Sequence, residues 1–356
     1  MAFMGKSWTA LGRRTAAVVA LSLFASLGLS ACSSTGGSAA SGASSTVTIG
    51  YFPNLTHAPA LVGVSKGYFA KALGDGVELK TATFNAGPAA LEALNAGSLD
   101  IAFIGPNPTI TGYTQSKGQS LRVIAGAAAN GASLVVSKDI TSVEQLKGAK
   151  IASPQLGNTQ DVALRYWLKE QGFETTTEGG GDVSIMPQEN ATALQSFTSG
   201  DIAGAWVPEP WATRLVNAGG HVLVNEADLW PNKQFIVTNV IVRTQFLTDH
   251  PDEVKEVLSG LLDSLDYIKQ NPDDAKKTVN DALADLTGKG LDEAVLDTAW
   301  KNVVFTYDPL SSTLKSGADH AVAVGLLEQP DLSGLYSLDT LNALLKERGE
   351  QEVSDS

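Results

Sequence analysis

The sequence holds a single cysteine, Cys32, in 356 residues. An internal disulfide is excluded, so a chain exported from the cytoplasm must be held by its own core. At this length it can be, because large chains bury most of their surface. Histidine is scarce, with only His57, His221, His250 and His320. No GxSxG, HExxH, Walker A or CxxC pattern occurs. The common constellations for acyl transfer, zinc hydrolysis, phosphoryl transfer and thiol redox chemistry are therefore missing. No catalytic residue, metal site or cofactor is expected. Basic residues are outnumbered, 25 Lys and Arg against 38 Asp and Glu, for a net charge of −13. That balance excludes nucleic acid, whose binding needs basic stripes. It says little about a small ligand, because net charge reports solubility and association rather than the chemistry of one site.

Long apolar runs are also lacking, except near the start. Lys6, Arg13 and Arg14 precede an apolar stretch from Ala16 to Leu29. It spans roughly 14 residues, too few for a hydrocarbon core that needs about 20. It ends in Leu29-Ser30-Ala31-Cys32, a branched residue, two small residues and a cysteine. This pattern resembles a bacterial lipoprotein signal. Residues 1–31 are expected to be cleaved, and Cys32 to carry a diacylglycerol as the new N-terminus. Residues 32–45, rich in Ser, Gly, Ala and Thr, read as a flexible tether. Loss of residues 1–31 removes three basic residues and no acid, so the mature charge becomes −16. Arg13-Arg14 raises twin-arginine export, but the hydrophobic residues that usually follow it are absent, and Sec export stays open.

Beyond the tether, short β-branched runs alternate with helical patterns. Val47 to Gly50, Val77 to Thr83 and Ile101 to Ile104 read as strands. His57 to Lys71 and Ala89 to Asn95 read as helices. The same β-α-β-α-β order returns from Lys150 to Val207. An offset of 103 residues lays Leu91 on Leu194, Gly97 on Gly200 and Phe103 on Trp206. Such alternation indicates α/β lobes, each a mostly parallel sheet flanked by helices. Extended segments near Leu134 to Val136 and Val237 to Val242 are expected to form two hinge crossings. The division is then residues 46–135 and 239–356 for lobe one, and 136–238 for lobe two. From Pro251 onward the chain reads as helical.

Ligands in open α/β sheets sit outside the carboxyl ends of the strands. That rule selects the loops from Phe52 to His57, Gly105 to Thr109, Pro154 to Gln160 and Pro208 to Trp211, with Asn130 just before the first crossing. The candidate ligand-binding residues are Asn54, Thr56, His57, Asn107, Asn130, Asn158, Thr159, Gln160, Glu209 and Trp211. These loops contain no Lys or Arg. An anion there would be held by helix-start N–H groups, neutral amides and hydroxyls. Asn and Thr in loops also serve as caps and turn formers, and Trp206 reads as core. Glu209, the only carboxylate in these loops, suits either a ligand amine or a bond across the hinge.

Several of these segments carry a resemblance. Ile49-Gly50-Tyr51, Gly67-Tyr68-Phe69, Gly87 to Leu94, Gly97-Ser98-Leu99-Asp100 and Gly200-Asp201-Ile202 with Trp206 to Trp211 are involved. They resemble the nitrate/sulfonate/taurine group of solute-binding proteins of ABC importers, from about Val47 to the C-terminus. The resemblance implies a two-lobed solute-binding (Venus-flytrap) fold closing on a ligand. It implies a monomer that serves an ABC permease and its ATPase, on the extracytoplasmic face of the membrane. A small sulfonate, such as an alkanesulfonate or taurine, is the expected ligand. Nitrate or bicarbonate, and a thiamine-precursor aminopyrimidine stacked on Trp211, are alternatives. Readings of another class are a pyrimidine-precursor synthase using His57 and a lipid-anchored receptor without transport. The anchoring expectation has a direct test. Cys32→Ala should release the protein from the membrane fraction or leave it uncleaved, as read by fractionation and immunoblotting. Unchanged retention with normal processing would refute it.

Overall fold

The computed structural model describes residues 45–355. The expected signal peptide, lipidated Cys32 and tether lie outside the described residues, except Ser45, which already belongs to the first strand. Two sheets organise the chain. Sheet one contains β1 (Ser45–Tyr51), β2 (Val77–Thr83), β3 (Ile101–Ile104), β4 (Leu121–Asn130), β10 (Ile236–Arg243) and β11 (Val303–Phe305). Their order is β11-β4-β10-β3-β1-β2. Sheet two contains β5 (Ala132–Ser137), β6 (Lys150–Ser153), β7 (Ser184–Pro187), β8 (Gly204–Pro208) and β9 (Gly220–Asn225), in the order β7-β6-β8-β5-β9. Read from the other edge, sheet one repeats the plan of sheet two, with a second, a first and a third strand, then a strand arriving from the opposite lobe. Each β-α-β-α-β series is parallel within itself. The incoming strands β10 and β5 run antiparallel to it. Both sheets are thus mixed rather than mostly parallel, because a chain that enters a lobe and must leave it again returns against the series.

Alternation along each strand feeds helices on both faces. Ile101 and Phe103 of β3 pack into the cluster that contains Val254, Val257, Leu258 and Leu261 of α9 (Pro251–Gln270). Ala102 and Ile104, facing the other way, pack with α3 (Gly87–Asn95), α4 (Pro106–Gln115) and α12 (Ser311–Ala323). The longest helix, α9, shows why the sequence supports it. Pro251 fits the first turn, Asp252 and Glu253 face its positive end, and apolar residues recur at three- and four-residue spacing. Around it lie α1 (Ala58–Ser65), α2 (Tyr68–Leu73), α8 (Thr244–Asp249), α10 (Pro272–Thr287) and α13 (Asp339–Arg348). The expected helix from His57 to Lys71 is split between α1 and α2, because Gly67 adopts φ 74° and ends the first segment. In sheet two, α5 (Thr159–Glu170) covers one face through Leu164, Trp167 and Leu168. The other face is covered by α6 (Asn190–Ser199) and α7 (Trp211–Asn217). A last helix, α11 (Glu293–Lys301), packs on α7. No helix among the described residues is long and apolar enough to cross a membrane.

The chain passes between sheets twice. At the first passage β4 ends at Asn130 and β5 begins at Ala132, so Gly131 alone lies between. Asn130 and Gly131 have φ 64° and 75°, a region Gly adopts freely and Asn tolerates. The second passage is the segment 226–235 between β9 and β10. Residues 134–136 and 237–242 are themselves ladder residues of β5 and β10.

Glu226 opens the second passage and is 1% exposed. Its Oε2 accepts the Trp206 indole N–H at 2.7 Å, and Trp230 also bonds it. Burial dominates over these bonds and pushes its carboxyl up to about 7. A raised carboxyl contributes stability that is full below the unfolded value and is lost as pH rises through 7. Glu226→Gln should therefore gain stability relative to the wild type as pH goes from 5 to 8, by up to about 3 kcal/mol. Urea denaturation of both proteins across that range measures the difference. A difference that does not change with pH would refute the assignment.

Candidate functional site

The carboxyl ends of the parallel strands from both sheets meet at one niche. Its lobe-one wall is Asn54, Thr56 and His57 after β1, Asn85 after β2 and Gly105 after β3. Its lobe-two wall is Asn158, Thr159 and Gln160 after β6, Asn190 after β7 and Pro208 at the end of β8. Val237 of β10 and Phe52 complete the floor. The niche is about 20 Å³, room for about one water. No carboxylate, Lys or Arg lines it.

The lobes are closed over this niche. A Cβ added to Gly105 would lie 2.4 Å from the Thr159 hydroxyl, so only glycine permits the approach. Trp211 Nε1 donates to Asn54 Oδ1 at 2.9 Å. Asn85 Nδ2 donates to Glu189 Oε1 at 2.8 Å. On another flank Tyr166 of α5 stacks on His320 of α12 at 3.7 Å, and Lys169 donates to the Ala323 carbonyl.

The lining side chains are held in distinct ways. Asn158 caps α5, its Oδ1 accepting Gln160 N–H, which leaves the amide NH₂ free for other work. The Thr159 hydroxyl is buried and has no partner, and neither does Asn190 Oδ1. Buried groups of this kind are usually satisfied, so they mark where a ligand is wanted. His57 is 3% exposed and stacks on Phe52 at 4.4 Å. Its Nδ1 accepts Phe52 N–H at 3.3 Å. Burial lowers its pKa to about 3, so the ring is neutral and presents Nε2–H as a donor. A base this weak and already hydrogen-bonded is ill suited to proton abstraction near neutral pH. Behind the niche, Asp161 accepts Ser153 Oγ, Gly157 N–H and Arg165 Nε at 2.6, 2.9 and 2.9 Å. Arg165 and Asp161 are 2% and 0% exposed. This pair fixes the loop that presents Asn158 and Thr159.

Asn54, Thr56, His57, Asn158, Thr159 and Gln160 thus come together, while four other candidates do not join them. Asn107 points from α4 to α12, with Nδ2 donating to the Gly317 carbonyl at 2.9 Å. Asn130 spans the hinge, where Nδ2 donates to the Lys233 carbonyl and Oδ1 accepts Phe235 N–H. Trp211 stands outside the niche, on a chamber of about 350 Å³ that shares the walls Asn54, Asn85 and Asn190. Glu209 is 2% exposed. Its Oε1 accepts Thr213 Oγ1 and Asn302 Nδ2, and its Oε2 accepts Thr213 N–H. Its backbone accepts Leu55 N–H and donates to the Gly131 carbonyl. Glu209 therefore ties the lobes rather than lining the cavity. Asn85 and Asn190 were not among the candidates. They follow the second strand of each series, whose loops the strand-end rule covers equally but which lacked a clear motif. Among the described residues no cluster of three His, Cys, Asp or Glu could hold a metal ion.

Residues 40–283 match the model of the NMT1-like family. The chain is 28% identical over 283 residues to a putative binding protein of Brucella abortus (strain 2308), covering 75% of this chain and 83% of that protein. It is 28% identical over 252 residues to a putative aliphatic sulfonates-binding protein of Bacillus subtilis (strain 168), covering 68% and 70% of the two chains. Among solved structures it resembles the alkanesulfonate-binding protein of Xanthomonas axonopodis pv. citri bound to MOPS. That match has a TM-score of 0.67 at 20% identity and covers 83% of this chain and 98% of the other. At that identity it establishes the two-lobed fold.

Glu209→Ala would strand the Asn302 and Thr213 donors inside the protein. Hydrogen bonds to a charged group contribute about 1.5–3 kcal/mol each, so a loss of roughly 3 kcal/mol in unfolding free energy is expected, measured by urea denaturation without ligand. A loss under about 1 kcal/mol would mean the knot is dispensable.

Proposed function

The chain belongs to the NMT1-like family, and from that premise we propose that it is the solute-binding component of an ABC importer. It captures a small sulfonate between two lobes and hands it to a permease driven by its ATPase. It works on the extracytoplasmic face, held there by a lipid on Cys32. The lobes divide at Gly131 and within residues 226–235. One observation carries the reading. A closed niche at the strand ends of both sheets is lined by neutral donors, and one of them, the buried Thr159 hydroxyl, lacks a partner. The relatives named for binding sulfonates favour that ligand class. The niche volume of about 20 Å³ favours a second reading, a small inorganic oxyanion such as bicarbonate or nitrate.

Donors that approach from both lobes gain a shared partner only when the lobes are shut, so ligand binding and closure are one equilibrium. His57 Nε2–H, the free NH₂ of Asn158 and the Thr159 hydroxyl supply the contacts without a formal positive charge.

Isothermal titration of the mature protein with ethanesulfonate, taurine, nitrate and bicarbonate tests the proposal. A sulfonate should bind, and Thr159→Val and Asn158→Ala should each weaken it by about one to two decades. Affinity confined to the inorganic anions would select the second reading. Binding that both variants leave intact would show that the niche is not the site.

A further inference from the structure

The niche and the chamber beside it differ in charge. The niche has no ionised side chain. The outer chamber is lined by Arg214, Lys289 and Glu189, with Trp211 and Leu286 as apolar surface. Arg214 lies over the Trp211 ring, its guanidinium carbon 4.5 Å from the centroid. Among the described residues that guanidinium has no hydrogen-bond or ion-pair partner; Asp292, across an adjoining cavity that Arg214 and Lys289 also line, acts on it only through space. Glu189, by contrast, already accepts from Asn85. Two cations therefore face one engaged carboxylate, in a chain whose net charge is −13. Arg214 comes from α7 of lobe two, and Lys289 follows α10 on lobe one.

Shared walls relate the two compartments. The closed niche, about 20 Å³, leaves no room for a sulfonate's carbon body. The adjoining chamber, which shares Asn54, Asn85 and Asn190 with it, offers about 350 Å³. We propose that this chamber is a tail subsite in which Arg214, steadied on Trp211, selects sulfonates whose distal end is anionic, such as a carboxylate, over those ending in an ammonium. The proposal rests on the sulfonate reading of the niche and narrows it. Planar stacking holds the guanidinium and leaves its N–H edge for a carboxylate, a geometry suited to paired hydrogen bonds. An ammonium in the same place meets two like charges; Asp292 does not line this chamber but an adjoining one, which Arg214 and Lys289 also border.

The test is calorimetric titration of the mature protein with three sulfonates of similar length: 3-sulfopropanoate, ethanesulfonate and taurine. The wild type should bind 3-sulfopropanoate at least about tenfold more tightly than taurine. Arg214→Gln should collapse that ratio to within about twofold, while Arg214→Lys, which keeps the charge, should retain most of it. The ratio should also shrink as salt rises, since the chamber is open to solvent. A purely structural role for Arg214 would move all three affinities together and leave the ratio intact, which would overturn the proposal. Taurine binding as tightly as 3-sulfopropanoate to the wild type would overturn it too. Ethanesulfonate binding without any tail preference would refute the subsite alone. Failure of all three sulfonates would remove the sulfonate reading and the subsite with it.

Discussion

The Glu209 carboxylate is where the two halves of this protein are joined. It sits at the end of β8 in lobe two and is almost wholly buried. Its oxygens take the Thr213 backbone and hydroxyl from its own lobe and the Asn302 amide from lobe one. Its backbone N–H holds Gly131, the single residue of the first passage. Burial raises its pKa, against the three bonds that lower it. A carboxylate in such a place is costly unless fully bonded, and here three donors meet its two oxygens. The rest of the closed geometry depends on this point, because Leu55, which opens the turn leading to Thr56 and His57, hydrogen-bonds to the Glu209 carbonyl.

Hinge and cleft thus share residues that look alike in sequence and do opposite work. Asn130 and Asn158 are both loop asparagines near a strand end. Asn130 uses both ends of its amide to clasp the second passage to the first. Asn158 spends only its oxygen, on capping α5. The difference is one of free valence. An amide with both ends satisfied by backbone fixes geometry, whereas one with a free NH₂ facing a cavity can bind. The same count separates Glu209 from Asn190, and Asn107 from Thr159.

Much of the fold was legible because its signals are local. Short β-branched apolar runs marked β1 and β3, and Pro251 marked the start of the helical C-terminal part that opens with α9. The internal repeat followed from the common offset of the two series. The missed elements are those in which tertiary packing overrides propensity. Helix α4 contains Pro106, Pro108, Gly112 and several β-branched residues, poor formers by any scale. It holds because Ile110 and Tyr113 are buried against lobe one, and because Gly112 allows the Leu91 methyl groups to approach. β4, rich in Ala and Gly, has little strand propensity but lies between β10 and β11. In the cleft, six candidates were found from residue type and strand-end position. Asn107, Asn130, Glu209 and Trp211 met the same rule, but the partners that hold them in other segments are 93 to 210 residues away, and only three-dimensional pairing reveals them. Lys289 and Arg214 were invisible for the reverse reason. Neither lies in a strand-end loop, and each reaches the chamber from a helix end.

A cleft without a cation is less hostile to an anion than its lining suggests. The buried Arg165–Asp161 pair lies one helical turn behind Thr159 and is internally neutral, so it adds rigidity rather than net field. What remains is the orientation of fixed dipoles. The start of α5 presents unsatisfied N–H groups, the His57 proton is fixed on Nε2 by the Phe52 bond, and the Thr159 hydroxyl can rotate toward an acceptor. In a water-poor enclosure such dipoles act at low effective dielectric, and because they are already oriented, little further ordering is needed on binding. The arrangement also preserves release. A buried Lys or Arg would hold an oxyanion strongly in both open and closed forms, whereas donors divided between two lobes lose half their number when the lobes part. On the proposed role, a ligand held by neutral groups across the cleft would have an affinity that depends on closure, the property a protein that must surrender its cargo requires.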